Sequence, residues 1–266
     1  MEFNNDELRA KYNPEGSPIR KAQLRMLEIL VEVDKICRRH NITYWLSCGS
    51  MLGAVRHHGF IPWDDDLDIE LLKPDYDKLL KILQEELPDN LALQTRATDK
   101  NYFFFYAKVR DRNSRITERT GYDRILKEQG LWIDIFPVER ISRSMHKLSN
   151  KTFGHAYKIL RTTSDDTKAA RRVRFWTAMN RNFIFPILKV ISFLSRPKFY
   201  DFSFGIPYFH RCRMSDYMPI KYVPFESFEA PVASNTHNYL TDFYGDYMKL
   251  PEHPGSQFHD TSIEIW

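Results

Sequence analysis

Four aspartates occupy five positions, Asp64, Asp65, Asp66 and Asp68, in the run W-D-D-D-L-D-I-E-L. Acid and aliphatic residues alternate from Asp66 to Leu71, which predicts a strand, because successive strand side chains leave on opposite faces. Asp66, Asp68 and Glu70 then share one face while Leu67, Ile69 and Leu71 enter the core. A D-x-D pair on one strand face sets two carboxylates roughly 6–7 Å apart. They can converge on a hard divalent cation, Mg2+ or Mn2+, which takes oxygen ligands. A solvated acidic strand end has the same pattern, so the surroundings decide what it means.

A turn suited to anions precedes the acids. Ser47-Cys48-Gly49-Ser50 falls between a β-prone run, Ile42 to Leu46, and a short helix predicted over Met51–His57. Gly49 and Ser50 there would aim backbone N–H groups and a hydroxyl at an anion by a helix N-terminus. A phosphate turn and a carboxylate pair within twenty residues can hold two ends of a metal-bound polyphosphate. Asp134, in L-W-I-D-I-F-P, is an ionisable group in an apolar strand, costly to bury unless paired or metal-bound. It reads as a core acid with a local partner, or as a third carboxylate and general base whose pKa burial would raise. Lys108, Arg110 and Arg112 alternate along a strand, and Arg56 closes the short helix. These cations could neutralise a diphosphate, Arg bidentately, and each is equally readable as a solvent-facing charge. His57 and His58 lack a third His at ligand spacing and read as supporting loop residues; Tyr102–Tyr106 reads as core.

Several elements must position these groups. Residues 1–18 read as a polar N-terminal arm, 19–144 as a catalytic core, 145–215 as a basic helical insertion, and 216–266 as a segment completing the catalytic domain. Leu24, Leu27, Val31 and Ile36 mark one face of a helix after the arm. Pro74 suits the first turn of a helix over Asp75–Leu87, which Pro88 stops. Strands are expected at Leu91–Leu93, Tyr102–Val109 and Leu131–Phe136, giving a mixed sheet, and a last helix spans His237–Tyr244 before Gly245. In the insertion, Arg171, Arg172 and Arg174 precede the apolar run Phe183–Leu194, interrupted by Pro186. That run is too short to span a bilayer. It reads as a helix packed on the core, or as a peripheral membrane contact through 171–194 with Phe183, Phe185 and Leu188 toward acyl chains.

Bulk composition sets bounds. The chain has 266 residues, 42% hydrophobic and 28% charged, enough for one large domain or two small ones. Its net charge of +4 is uneven: basic from Lys147 to Arg213, acidic from Asp64 to Asp77. This suits a metal site beside a surface that meets nucleotide, phosphate or lipid headgroups, and is too weak to indicate nucleic acid. Cys37, Cys48 and Cys212 form no C-x-x-C pair and predict reduced thiols in the cytoplasm. The polar N-terminus lacks a signal-peptide core, and no uncharged run approaches the roughly 20 residues of a membrane span. A soluble or peripheral protein is expected.

With these residues assembled, the chain resembles the LicD family of phosphotransferases, which includes the fukutin-related proteins. Four blocks carry the resemblance: Cys48–Ile69 (C-G-S-M-L-G-A-V-R-H-H-G-F-I-P-W-D-D-D-L-D-I), Tyr106–Asp111, Gly130–Val138 and Tyr244–Pro251. The first is long and specific, and the others follow in the family's order. The resemblance implies an α+β, nucleotidyltransferase-like fold: a mixed sheet flanked by helices, with the basic lobe as a variable insertion. It implies transfer of a phospho-alcohol such as phosphocholine from a CDP-linked donor. The acceptor would be a sugar hydroxyl of a cell-surface glycan (lipopolysaccharide, teichoic acid or capsule) or its lipid-linked precursor. It makes Asp66 and Asp68 the metal pair, Asp64 an additional ligand, Asp134 the third carboxylate, and Gly49 and Ser50 the phosphate turn. Arg56, Lys108 and Arg110 would neutralise substrate. Where relatives often carry an Arg-His-His cluster, this chain has Gln257–His259. Two rival readings are a nucleotidyltransferase acting at the α-phosphorus and a non-catalytic peripheral membrane or assembly protein with a fossil site. A glycosyltransferase fits less well, since no full nucleotide-binding βαβ unit precedes the D-x-D.

Overall fold

A computed structural model describes residues 4–252 and 260–266; Gln257–His259 lies outside them. The N-terminal arm is not extended. Asn5–Tyr12 form helix α1, capped by Asn4, whose side chain accepts from Glu7 N. None of its residues is buried, so no apolar stripe announced it. Polar and ring contacts hold it instead: Arg9 to Glu226 at 3.5 Å, Tyr12 edge-on to Trp63, and buried Asn13 donating to Gln23 at 2.7 Å. Ser17 caps the next helix, α2 (Pro18–Arg39), with Pro18 in its first turn. Its buried stripe is Ala22, Met26, Leu30, Val33 and Cys37, and Leu24 and Val31 sit at the margin.

The chain then builds the sheet. Strand β1 (Trp45–Leu46) leads into helix α3 (Cys48–His57), and β2 (Asp68–Leu72) into α4 (Lys73–Glu86), with Pro74 in its first turn as expected. Then come β3 (Leu91–Gln94), β4 (Ala107–Asp111), β5 (Ser114–Glu118) and the long β6 (Trp132–Arg140). Helices α5 (Arg143–Thr162), α6 (Asp166–Met179) and α7 (Phe185–Leu194) form the basic lobe, with a π-helical turn, Asn180–Ile184, joining the last two. Pro186 sits in the first turn of α7, directly after the π-helical turn, and the helix runs on through it without a break. Strand β7 (Tyr200–Phe202) and the short α8 (Met214–Tyr217) follow. The tail adds a hairpin, β8 (Lys221–Phe225) with β9 (Phe228–Val232), then α9 (Thr236–Tyr244) and β10 (Asp260–Ile265). Gly245 ends α9 at φ +68°, as its sequence position implied.

The main sheet runs β1-β2-β6-β4-β3, with β7 on the far end of β6. β2 and β6 are parallel and the other pairs antiparallel, which makes the sheet mixed and the fold α+β. The core on it includes Trp45, Ile69, Val109, Ile133, Ile135 and Phe202. A second core belongs to the lobe: Phe153, Ile159, Val173, Phe185 and Leu188 close over Tyr102 and Phe103. That packing explains why Tyr102–Tyr106 is not a strand. Tyr102, Phe103 and Phe104 face the lobe, Phe105 touches both cores and Tyr106 packs on the sheet core, so the rings do not alternate across a sheet, and β4 begins only at Ala107.

Candidate active site

Parallel pairing sets Asp68 of β2 opposite Asp134 of β6, and antiparallel pairing sets Asp134 opposite Lys108 of β4. Two acids and one cation thus stand side by side on three adjacent strands. Asp134 N donates to Leu67 O at 2.8 Å, fixing the register at the entry to β2. Asp66 precedes the strand rather than lying in it, and Asp64 and Asp66 are half-buried while Asp65 is buried. Asp68 is 6% exposed, and no donor among the described residues hydrogen-bonds its carboxylate. Burial, then the charges of Asp66, Asp134 and Asp64, push its carboxyl well above the ordinary range, with Lys108 opposing.

Lys108 Nζ lies 2.7 Å from Asp134 Oδ1 and 4.1 Å from the centre of the Trp132 ring. Burial raises Asp134 and lowers Lys108, while their mutual attraction restrains both shifts. Asp134 is therefore at once the paired core acid and the neighbour of the D-x-D acids that the sequence offered as alternatives. As they stand, no three His, Cys, Asp or Glu side chains of the described residues converge closely enough to hold a metal ion.

The expected phosphate turn is the first turn of α3, which begins at Cys48 with φ +44°. Gly49 leaves room for Asp64: a Cβ there would lie 2.6 Å from Asp64 Oδ2 and push that carboxylate aside. The anion beside this helix start is thus Asp64's own carboxylate. Ser50 Oγ accepts from Asp68 N at 2.8 Å, so this hydroxyl holds the start of β2 rather than facing solvent. Arg56 is 7% exposed; its Nη1 donates to Tyr247 O at 2.8 Å and its Nε to His57 Nε2 at 2.9 Å, tying the tail to α3. Burial lowers Arg56 to about 10 and His57 to about 3, which keeps His57 neutral at physiological pH. Arg110, 1% exposed, donates to Gln94 Oε1 and Gly130 O and stacks over Trp132, behind Lys108. Arg112 lies beyond β4 and donates to Asp89 O.

Glu70 departs from the expectation for an exposed strand face. It is fully buried and accepts from Trp45 Nε1 (3.0 Å), Ser47 Oγ and Tyr239 Oη, with His210 Nε2 at 3.5 Å. Tyr239 Oη also accepts from Cys48 N at 3.2 Å, so one phenol links Glu70 to the start of α3. Burial alone would lower His210, but the charge of Glu70 overrides it and holds the imidazole at about 10. Sequence reasoning missed Tyr239, His210 and two tyrosines beside the acids. Tyr208 and Tyr244 both lie within electrostatic reach of Asp66 and Asp68. Only Tyr244 carried a signal, as the first residue of Y-G-D-Y.

The LicD/FKTN/FKRP nucleotidyltransferase domain matches residues 41–196, from just before β1 to the end of the lobe. The chain belongs to the LicD family. It is a LicD-like transferase, and the match runs through the lobe as well as the acid row. It is 28% identical over 265 residues to the lipopolysaccharide cholinephosphotransferase LicD of Haemophilus influenzae, covering 91% of this chain and 95% of that protein. An uncharacterized protein of Rickettsia prowazekii is 39% identical over 80 residues, 30% of this LicD-family chain and 29% of that protein.

Proposed function

We propose that this protein transfers a phosphocholine-like phospho-alcohol from a CDP-linked donor to a sugar hydroxyl of a cell-surface glycan or its lipid-linked precursor. The observation that carries this reading is the Asp68–Asp134–Lys108 row inside the segment that matches the family. The Haemophilus relative, matched nearly end to end, is named for the same class of transfer to lipopolysaccharide. A cytoplasmic, reducing setting suits the three buried, unpaired thiols.

Asp66 and Asp68 would hold Mg2+ or Mn2+, with Asp64 and Asp134 adjoining. The donor set suits such an ion in kind: it is all carboxylate, and among the described residues Asp68 has acid neighbours and no hydrogen-bond donor on its carboxylate. Such an ion would screen the donor phosphates and make the attacked phosphorus more electrophilic. The chain's own groups do the rest. The acceptor oxygen attacks the phosphorus bearing the alcohol, the bond from that phosphorus to CMP breaks, and CMP leaves with the bridging oxygen. Asp134, its carboxyl raised by burial, takes the hydroxyl proton. Lys108 offsets the negative charge that gathers there, and the first turn of α3 orients the diphosphate. Arg56 and Arg110 hold the tail and β6 rather than touching donor.

Incubating the protein with CDP-choline and a phosphocholine-free lipopolysaccharide tests this reading. CMP release that needs Mg2+, with a product heavier by phosphocholine, is expected. A product carrying cytidylate would assign nucleotidyl transfer. A donor left intact by the wild type in Mg2+, across choline, glycerol and ribitol forms, would overturn the proposal.

A further inference from the structure

Helix α7 is apolar on both sides. Phe185, Leu188 and Ser192 face inward and are buried in the lobe. Phe183, Ile187, Val190, Ile191 and Leu194 fall at i, i+4, i+7, i+8 and i+11, one continuous outer stripe, and each is 45–71% exposed. Phe193 beside them is 78% exposed. Of the three side chains that the sequence offered for a membrane face, Phe185 and Leu188 belong to the core, and Phe183 stays outside with a different set. Lys189, the only charge within α7, turns aside to Glu139 at 2.9 Å, so the outer stripe carries none. A contiguous apolar surface of this kind marks an interface.

The charges around the stripe indicate what covers it. From Arg143 to Lys198 there are thirteen Lys and Arg against two acids, in a chain whose net charge is only +4. The two acids are engaged: Asp165 caps α6 and Asp166 pairs with Arg124 at 2.7 Å. A cavity of 1090 Å³ beside α7 is lined by Phe193 and Leu194 together with Arg140, Arg196 and Lys198, and its one acid, Glu139, is paired with Lys189. A second copy docking by the same face would bring two cationic surfaces together, which disfavours self-association.

We propose that α7 is an in-plane membrane anchor. Its outer stripe enters the acyl region of an anionic bilayer, and Arg140, Arg181, Arg196 and Lys198 meet headgroup phosphates. This docking stands independently of the transfer chemistry proposed above. Co-sedimentation tests it, with phosphatidylcholine vesicles that contain or lack phosphatidylglycerol. The wild type should bind the anionic vesicles at least about tenfold better than neutral ones, and release at high salt. Phe183→Ser/Ile187→Ser/Val190→Ser, built only on exposed positions, should lose binding about tenfold or more with its melting temperature unchanged. Arg196→Glu/Lys198→Glu should weaken binding similarly, and it decides the matter should the triple variant misfold. Equal binding to neutral vesicles, no binding at low salt, or unaltered binding by the charge-reversal variant overturns the proposal. So does a concentration-dependent dimer in sedimentation velocity that the triple variant abolishes, since it would give the face to a second copy.

Discussion

Replacing Asp68 with Asn should stabilise the protein while silencing it. The Asp68 carboxyl is held well above its ordinary value of 3.8, first by burial and then by Asp66, Asp134 and Asp64. A group with a raised folded pKa binds more protons folded than unfolded, so its ionisation favours unfolding. The penalty is absent below pH 3.8, grows as pH climbs toward the folded value, and is complete above it. Two unit charges roughly 5 Å apart repel by about 3 kcal/mol at an effective dielectric near 20. Lys108 partly neutralises Asp134 at 2.7 Å, so the relief from Asn comes to about 1–3 kcal/mol. Its amide can also donate to the neighbouring carboxylates. At about 2–4 °C per kcal/mol for a chain of this size, the variant should melt about 2–12 °C above wild type at neutral pH in EDTA. The gap should close as pH falls to 3.8, and CMP release should vanish. Calorimetric melts across pH and a donor-turnover assay read both effects. A variant that melts lower than wild type at neutral pH, or keeps its advantage in acid, refutes the electrostatic account; wild-type turnover refutes the assignment of Asp68.

Other perturbations separate roles within the site. Lys108→Met should cost about 3–5 kcal/mol in denaturant unfolding because it strands a buried Asp134, and adding Asp134→Asn should restore much of that; no recovery would mean the pair is not the reason. Gly49→Ala puts a Cβ 2.6 Å from Asp64 Oδ2, the end of a flexible side chain, so the fold should survive while calorimetric donor affinity drops at least about tenfold. Unchanged affinity would detach the start of α3 from the donor. Ser50→Ala should cost about 1–3 kcal/mol by orphaning Asp68 N, and a neutral result would show water replacing the hydroxyl. The His210–Glu70 pair should stabilise fully below pH 6.5 and lose its effect as pH rises to about 10, so His210→Gln should flatten stability against pH over that window.

Elements with a strong local period were legible in the sequence: α2, α4, α9 and the lobe helices came close to their expected places. Asp68 and Asp134 were also identifiable, as acids in strand patterns. The parallel pairing that makes them neighbours was not, because register depends on partners far along the chain. Polar side chains misled most. Ser50 and Glu70 looked free in one dimension, yet each spends its polar atoms on backbone or buried rings. Strand β5 showed no signal because its partner, β10, lies at the other end of the chain. Phe185 and Ile187 are alike in composition, and only the packing of the lobe sends one in and the other out.

The phenol of Tyr239 reaches Glu70 from 169 residues downstream. Translation proceeds from the N-terminus at roughly 5–20 residues per second, and domains fold as units. A nascent chain with every acid of the row already outside the ribosome has Trp45 and Ser47 on Glu70 but still lacks Tyr239 and His210, and with Tyr239 the phenol that ties Glu70 to the first turn of α3. Activity is therefore expected only once the tail has been made. Fragments cut short before Tyr239 should carry the family's most specific motif without its activity.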